Sequence, residues 1–204
     1  DSEAGNHTHI GGTGNQAARG IVNVSGAGTV FSNSSRIFIG SGQSWGDSSS
    51  AYSNELNITA GAKVYSRDSY VGWLGRYNRV RIDGPGSVWY NEGIGLGKSG
   101  WYNELIVTNG GRFESSGLLG VGQEGSRYCL VVIDGNASTA QCSGVQLGIG
   151  GSYNDFVITN QGTLLCGNLN LGKNAGVIDN VFLVTGSGSA FSTTATISME
   201  ASNG

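Results

Sequence analysis

The sequence predicts an all-β fold, a three-sided parallel β-helix of about seven coils with about 25 residues each, and two observations carry that expectation. One is an internal repeat. From anchors at Gly20, Asn54, Asn78, Asn103, Cys129, Asn154 and Asn180 the same order of residues returns. An apolar residue stands two places on and a β-branched one four places on; a hydroxyl or Asp follows, then Gly, Asn or Ala. After one interval of 34 the spacings are 24, 25, 26, 25 and 26. A period this short marks a solenoid, and apolar alternation punctuated by glycine, with no helical period, makes each unit a coil of strands. The other observation is composition. Gly is 37 of 204 residues, Pro is 1, charged residues are 12% and hydrophobic residues 38%. That is too apolar for disorder and too rich in glycine for helices.

Residues 1–19 are polar and glycine-rich and are expected to form an N-terminal segment or cap. Residues 20–193 hold the repeats, with an insert at 41–53, and residues 194–204 begin a further coil or a tail. Within a coil, strand residues alternate sides with period two. The column four after the anchor, from Val24, Ile58 and Ile82 to Val184, is β-branched throughout and must face inward with the apolar column two places earlier. Anchor asparagines on successive coils, Asn78 and Asn103 among them, then stack about 4.8 Å apart and hydrogen-bond along the axis. The Gly, Asn or Ala six after the anchor tolerates positive φ and marks a tight turn, capped by the preceding Ser, Thr or Asp. A second strand follows, as in Val88-Trp89-Tyr90. A third, expected to be shorter, carries an apolar-Gly pair such as Ile39-Gly40, Val71-Gly72 or Leu96-Gly97.

Ile82-Asp83-Gly84-Pro85-Gly86-Ser87-Val88-Trp89 and Leu96-Gly97-Lys98-Ser99-Gly100-Trp101-Tyr102-Asn103, continuing to Asn109-Gly110-Gly111, resemble the repeat of type V secretion (autotransporter) passengers and PEP-CTERM-associated surface proteins of bacteria. The likeness covers most of residues 20–193, with Gly-x-Gly coils alternating with Asn-Gly coils in a double period of about 51. The resemblance implies a right-handed β-helix, exported as an extracellular or cell-surface stalk, and implies no catalytic residue. Cys129 in place of an anchor Asn and the insert at 41–53 depart from the pattern.

Motifs with a chemical look have plainer readings. Gly42-Gln43-Ser44-Trp45-Gly46 fits the nucleophile elbow, which needs a strand-turn-helix setting and a downstream His, yet His7 and His9 both lie upstream. Gly97-Lys98-Ser99 ends like a P-loop, but Glu92 stands where the first glycine belongs. Gly11-Gly12-Thr13-Gly14-Asn15 lacks the aspartate of a calcium-binding nonapeptide. Asp83, Asp134, Glu104, Asp155 and Glu114 are the carboxylates to weigh for glycoside chemistry. Turn capping accounts for the first two, and Glu55, Arg79 and Glu104 read as a charge ladder on the solvent face. No catalytic, metal or cofactor residue is therefore assigned.

Tyr77, Tyr102, Tyr128 and Tyr153 precede four consecutive anchors and should form an aromatic ladder, with Trp101 beside it and Arg67, Arg76, Arg79 and Arg81 near in sequence. Such a ladder stabilises stacking, or serves as a platform for a glycan or another protein. Cys142 and Cys166 lie 24 apart, close enough to one coil for a disulfide. Cys129 is expected to be a buried free thiol. The net charge of -3 argues against a nucleic-acid binder, and no run approaches the roughly 18 apolar residues of a membrane span. The expected function is thus a structural solenoid of the cell exterior whose partners are further copies stacked end to end or neighbouring segments of a longer chain. The alternative is a carbohydrate-active β-helix, a glycan-binding module first and a polysaccharide lyase or hydrolase second.

Overall fold

The computed structural model describes residues 7–11, 19–42, 52–172, 174 and 176–199. These residues form a parallel β-solenoid of about seven turns, about 26 residues per coil, without a helix. The first side is a seven-stranded sheet in unbroken coil order, from Ile21–Ser25 to Val181–Val184. Its register places Val24, Ile58, Ile82, Val107, Ile133, Ile158 and Val184 rung upon rung, and all but the last are buried. β-Branched residues suit this position because their restricted χ1 packs well on a pleated surface. The second side stacks Val64, Trp89, Phe113, Ala140 and Leu164 inward. Trp89 meets Phe113 edge to face at 5.9 Å between ring centroids, and its indole Nε1 donates to Ser66 Oγ at 3.0 Å. The largest core residue therefore carries no unmet polar group.

Two expectations need correction. The second strand is the shorter one: Lys63–Tyr65 and Val88–Asn91 have three and four residues, against five for Ser69–Trp73 and Ile94–Lys98. In the fifth and sixth coils the two merge into the nine-residue strands Thr139–Leu147 and Thr163–Leu171, which join both sides into one 13-stranded sheet. The N-terminal segment contributes Thr8–Ile10, which pairs with Ile37–Ser41 on the third side of the first coil. Finally, Ile197–Met199 pairs with Leu169–Leu171 and so completes the third side of the last coil, where the sequence suggested the opening of a further one. Most of the insert at 41–53, including Ser44 of the elbow-like motif, and Gly12 to Asn15 lie outside the described residues.

Turn chemistry explains the double period. Gly-x-Gly coils place positive φ at the sixth and eighth residues after the anchor, as at Gly84 (88°) and Gly86 (79°). The coils between them place it at the sixth and seventh, as at Asn109 (53°) and Gly110 (84°) or Asn160 (49°) and Gln161 (72°). The two turns interlock. Ser87, in a Gly-x-Gly coil, and Ser138, in the coil where Gly135-Asn136-Ala137 takes the same turn, accept at Oγ from the N–H of Gly61 and Gly110 in the coil before, both at 3.0 Å. Their own hydroxyls donate to the carbonyls of Asp83 and Asp134. On the opposite flank, Asp83 and Asp134 accept from Nδ2 of Asn109 and Asn160 in the coil after, both at 2.7 Å. Each turn type thus supplies the partner that the other lacks.

The anchor asparagines, buried except for the half-buried Asn180, form the ladder predicted from their spacing. Asn78 Oδ1 accepts from the backbone N–H of Asn54 at 3.1 Å and from its Nδ2 at 2.9 Å, and Asn103 does the same for Asn78. Asn180 repeats the pattern toward Asn154. The apolar-Gly pair of the third strand is the other half of this device. A Cβ on Gly40, Gly72, Gly122 or Gly148 would lie 2.1–2.2 Å from the side chain of Asn78, Asn103, Asn154 or Asn180. Glycine is required there by the amide that packs against it, and its φ of 69–73° also favours glycine. Gly11, packed on Asn54 with φ 98°, extends the column to the first strand. Cys129 interrupts the ladder. Its N–H still donates to Asn154 Oδ1 at 3.0 Å, but sulfur is a weak acceptor where Asn103 should find an amide oxygen. Cys129→Asn is expected to raise stability by about 1 kcal/mol, the net worth of a typical hydrogen bond. A shift in the urea midpoint checks this.

Candidate functional site

The pre-anchor tyrosines stand where the chain turns into the first strand, each in the left-handed region: φ is 57° at Tyr77, 55° at Tyr102, 57° at Tyr128 and 59° at Tyr153. A bulky residue seldom takes this conformation. Stacking compensates. Successive ring centroids lie 5.0, 4.8 and 5.3 Å apart with planes within 19°. Tyr102 and Tyr128 therefore have both faces covered by neighbouring tyrosines, although their edges are exposed. The sequence-predicted ladder is real, but the faces on which a sugar would stack are turned toward each other.

Trp101 belongs to the adjacent column, bridged between Arg76 and Arg127, with the Arg76 guanidinium 4.2 Å from its ring centroid. Arg79 stands outward on the first side, in register with Glu55 and Glu104, and its Nε donates to Glu104 Oε2 at 2.6 Å. Arg67 pairs instead with Glu92 at 3.1 Å and Arg81 with Asp83 at 3.1 Å. The four arginines close in sequence are thus spread over several sides, three of them paired with acids and Arg76 set over the Trp101 ring.

The carboxylates have structural partners, but Asp83 and Asp134 bond side chains of the following coil where capping of their own turn's amides was expected. Asp83 accepts from Thr108 Oγ1 at 2.8 Å as well as from Asn109 and Arg81. Burial pushes its carboxyl up, but these donors together outweigh burial and leave its pKa below the ordinary value. The turn contact is therefore complete above the ordinary carboxylate range and is lost as pH falls through the lowered pKa. Cys142 and Cys166 are paired in register on adjacent strands, as expected from their spacing, and are free thiols. Burial, with a contribution from Cys166 nearby, pushes the Cys142 thiol up to about 12, and burial raises that of Cys166. Both are thereby kept unreactive toward thiolate chemistry.

Sequence reasoning passed over the corner between the second and third sides, where three grooves open in the described residues. One, of about 280 Å³, lies among Asp68, Tyr70, Glu92, Gly93, Leu118 and Gln123. A second, of about 300 Å³, lies among Tyr90, Asn91, Glu114, Ser115, Ser116 and Gln141. The third, of about 360 Å³, runs from Gln141 past Cys142 and Cys166 to Thr194. The hollow of the first arises because outward positions on the third side run Tyr70, Gly95, Gly120, Gln146, so two rungs carry no side chain. Gln123 folds over the gap; a Cβ on Gly120 would lie 2.3 Å from its Nε2. Beneath the second groove Asn91 is 6% exposed, and neither its Nδ2 nor its Oδ1 has a hydrogen-bond partner. A buried amide in that state costs stability. Its only sequence signal is a polar residue where neighbouring coils place Ser66 and Ser115. Compared with protein-family models, curated proteins and solved structures, the chain matches none.

Proposed function

We propose that this β-solenoid is a structural element of the cell exterior or bacterial cell surface, a stalk or fibre-forming scaffold without catalytic activity, whose end coils stack on those of other copies or on neighbouring segments of a longer chain. One observation carries the reading. The inward columns, buried through six coils, continue into a last coil where they are open: Val184 is 39% exposed, Ile197 49% and Met199 75%. Phe182 stacks on Phe156 beneath it at 5.3 Å, so the core is continuous up to the exposed rung. Sheet edges of this kind template further strands, and a coil of the same column chemistry, from a following segment of a longer chain or from another copy, is the surface that fits. A head-to-tail contact does not close on itself and yields filaments. The ordered, paired roles of the carboxylates and the resemblance of the repeat to exported surface proteins support the non-enzymatic, extracellular part of the reading.

Electron microscopy and light scattering of the 204-residue chain across a concentration series test the proposal. Filaments one coil-stack wide, suppressed by Val184→Lys, are the expected result. A monomer at every concentration would remove self-assembly and leave the last coil as a surface for a neighbouring segment of a longer chain.

A further inference from the structure

We propose that the corner between the second and third sides binds a neutral polysaccharide laid along the solenoid axis. The shape is that of a track. The second and third grooves share Gln141, and Asn91 of the second is followed in the chain by Glu92 and Gly93 of the first. Together they run across six rungs, roughly 24 Å at strand spacing.

The chemistry suits a ligand with apolar ring faces and many hydroxyls. Tyr90 stacks on Tyr65 at 4.8 Å on one side, while in the next coil its register partner is Glu114, which leaves an aromatic surface in the groove. Gln123, Gln141 and Ser116 offer donors and acceptors in the combination that sugar hydroxyls require. No Lys or Arg lines any of the three grooves. The acids on the rim are paired with arginines, Asp68 with Arg36 at 4.0 Å, Glu92 with Arg67 and Glu114 with Arg112. They accept from hydroxyls and repel a polyanion. A peptide added as a β-strand has no place here, because these strands are paired on both edges. An independent observation is Asn91, whose buried amide has no partner in the protein and lines the groove.

Affinity electrophoresis of the full chain through gels containing dextran, mannan or galactan, with polygalacturonate as the anionic comparison, tests the inference. At least one neutral polymer should retard the protein, and polygalacturonate should not. Asn91→Leu, nearly isosteric, removes the unmet amide; it should unfold at higher urea than the parent while binding falls at least tenfold. Tyr90→Ala should weaken binding to a similar extent, and Tyr102→Ala on the tyrosine ladder should leave it unchanged. Retardation by no neutral polymer or by polygalacturonate alone would overturn the inference. Binding lost in Tyr102→Ala but kept in Asn91→Leu and Tyr90→Ala would overturn it as well.

Discussion

Gly72→Ala is expected to destabilise the solenoid by about 2–5 kcal/mol, roughly 1–2 from forcing a side chain into left-handed φ and 1–3 from overpacking. The added Cβ would stand 2.2 Å from the Asn103 side chain, which is itself buried and hydrogen-bonded on two sides. Relief by movement of Asn103 would break its contacts with Asn78 and with the carbonyl of Gly75. Gly125 separates the two components. Its φ of 78° is similar, but a Cβ there meets nothing within 4 Å, so Gly125→Ala should cost only about 1 kcal/mol. Urea midpoints of the two variants measure the difference. Equal midpoints would mean that the glycine column answers to backbone conformation alone.

Asn78→Leu should cost about 2–6 kcal/mol although it preserves volume. It leaves the backbone N–H and Nδ2 of Asn54 without their acceptor in a buried site, at about 1–3 kcal/mol for each donor. Asn57→Leu is the comparison. Asn57 also donates to an asparagine one coil away, Asn23 at 2.9 Å, but outside the coil and in water's reach. Its replacement should stay within about 0.5 kcal/mol. The same amide-to-amide bond thus differs in worth by several-fold according to burial.

The sequence made the coil and its inward columns legible because both follow from short arithmetic: a period near 25 and alternation by two. The anchor amides were legible for the same reason, since each finds its partner at the same position of the next coil. The reason for the third-strand glycines was not. Gly72 answers to Asn103, 31 residues on and at a different position in the repeat, so no single column contains both. Strand lengths at the second corner were also obscure. Ser143-Gly144 in the fifth coil reads as a turn as well as Gly93 or Gly117 does, yet Thr139–Leu147 runs through it as one strand. Ile197–Met199 misled because an apolar alternation shows that a strand exists, not which side it occupies; the pairing with Leu169–Leu171 decides that. The tyrosine ladder was foreseen as a column, but its covered faces depend on ring tilt, which no spacing encodes. The grooved corner escaped notice because it is built from departures from the repeat, Asn91 and Tyr90 above all.

Hydrogen exchange at side-chain amides, read by NMR on the assigned asparagines, tests the interlocked ladder most directly. The Nδ2 protons of Asn54 and Asn78 donate inside the coil stack and should exchange orders of magnitude more slowly than those of Asn57, which make the equivalent bond on the outside. Exchange at Asn54 and Asn78 as fast as at Asn57 would contradict a buried amide ladder and the account of the glycine column built on it.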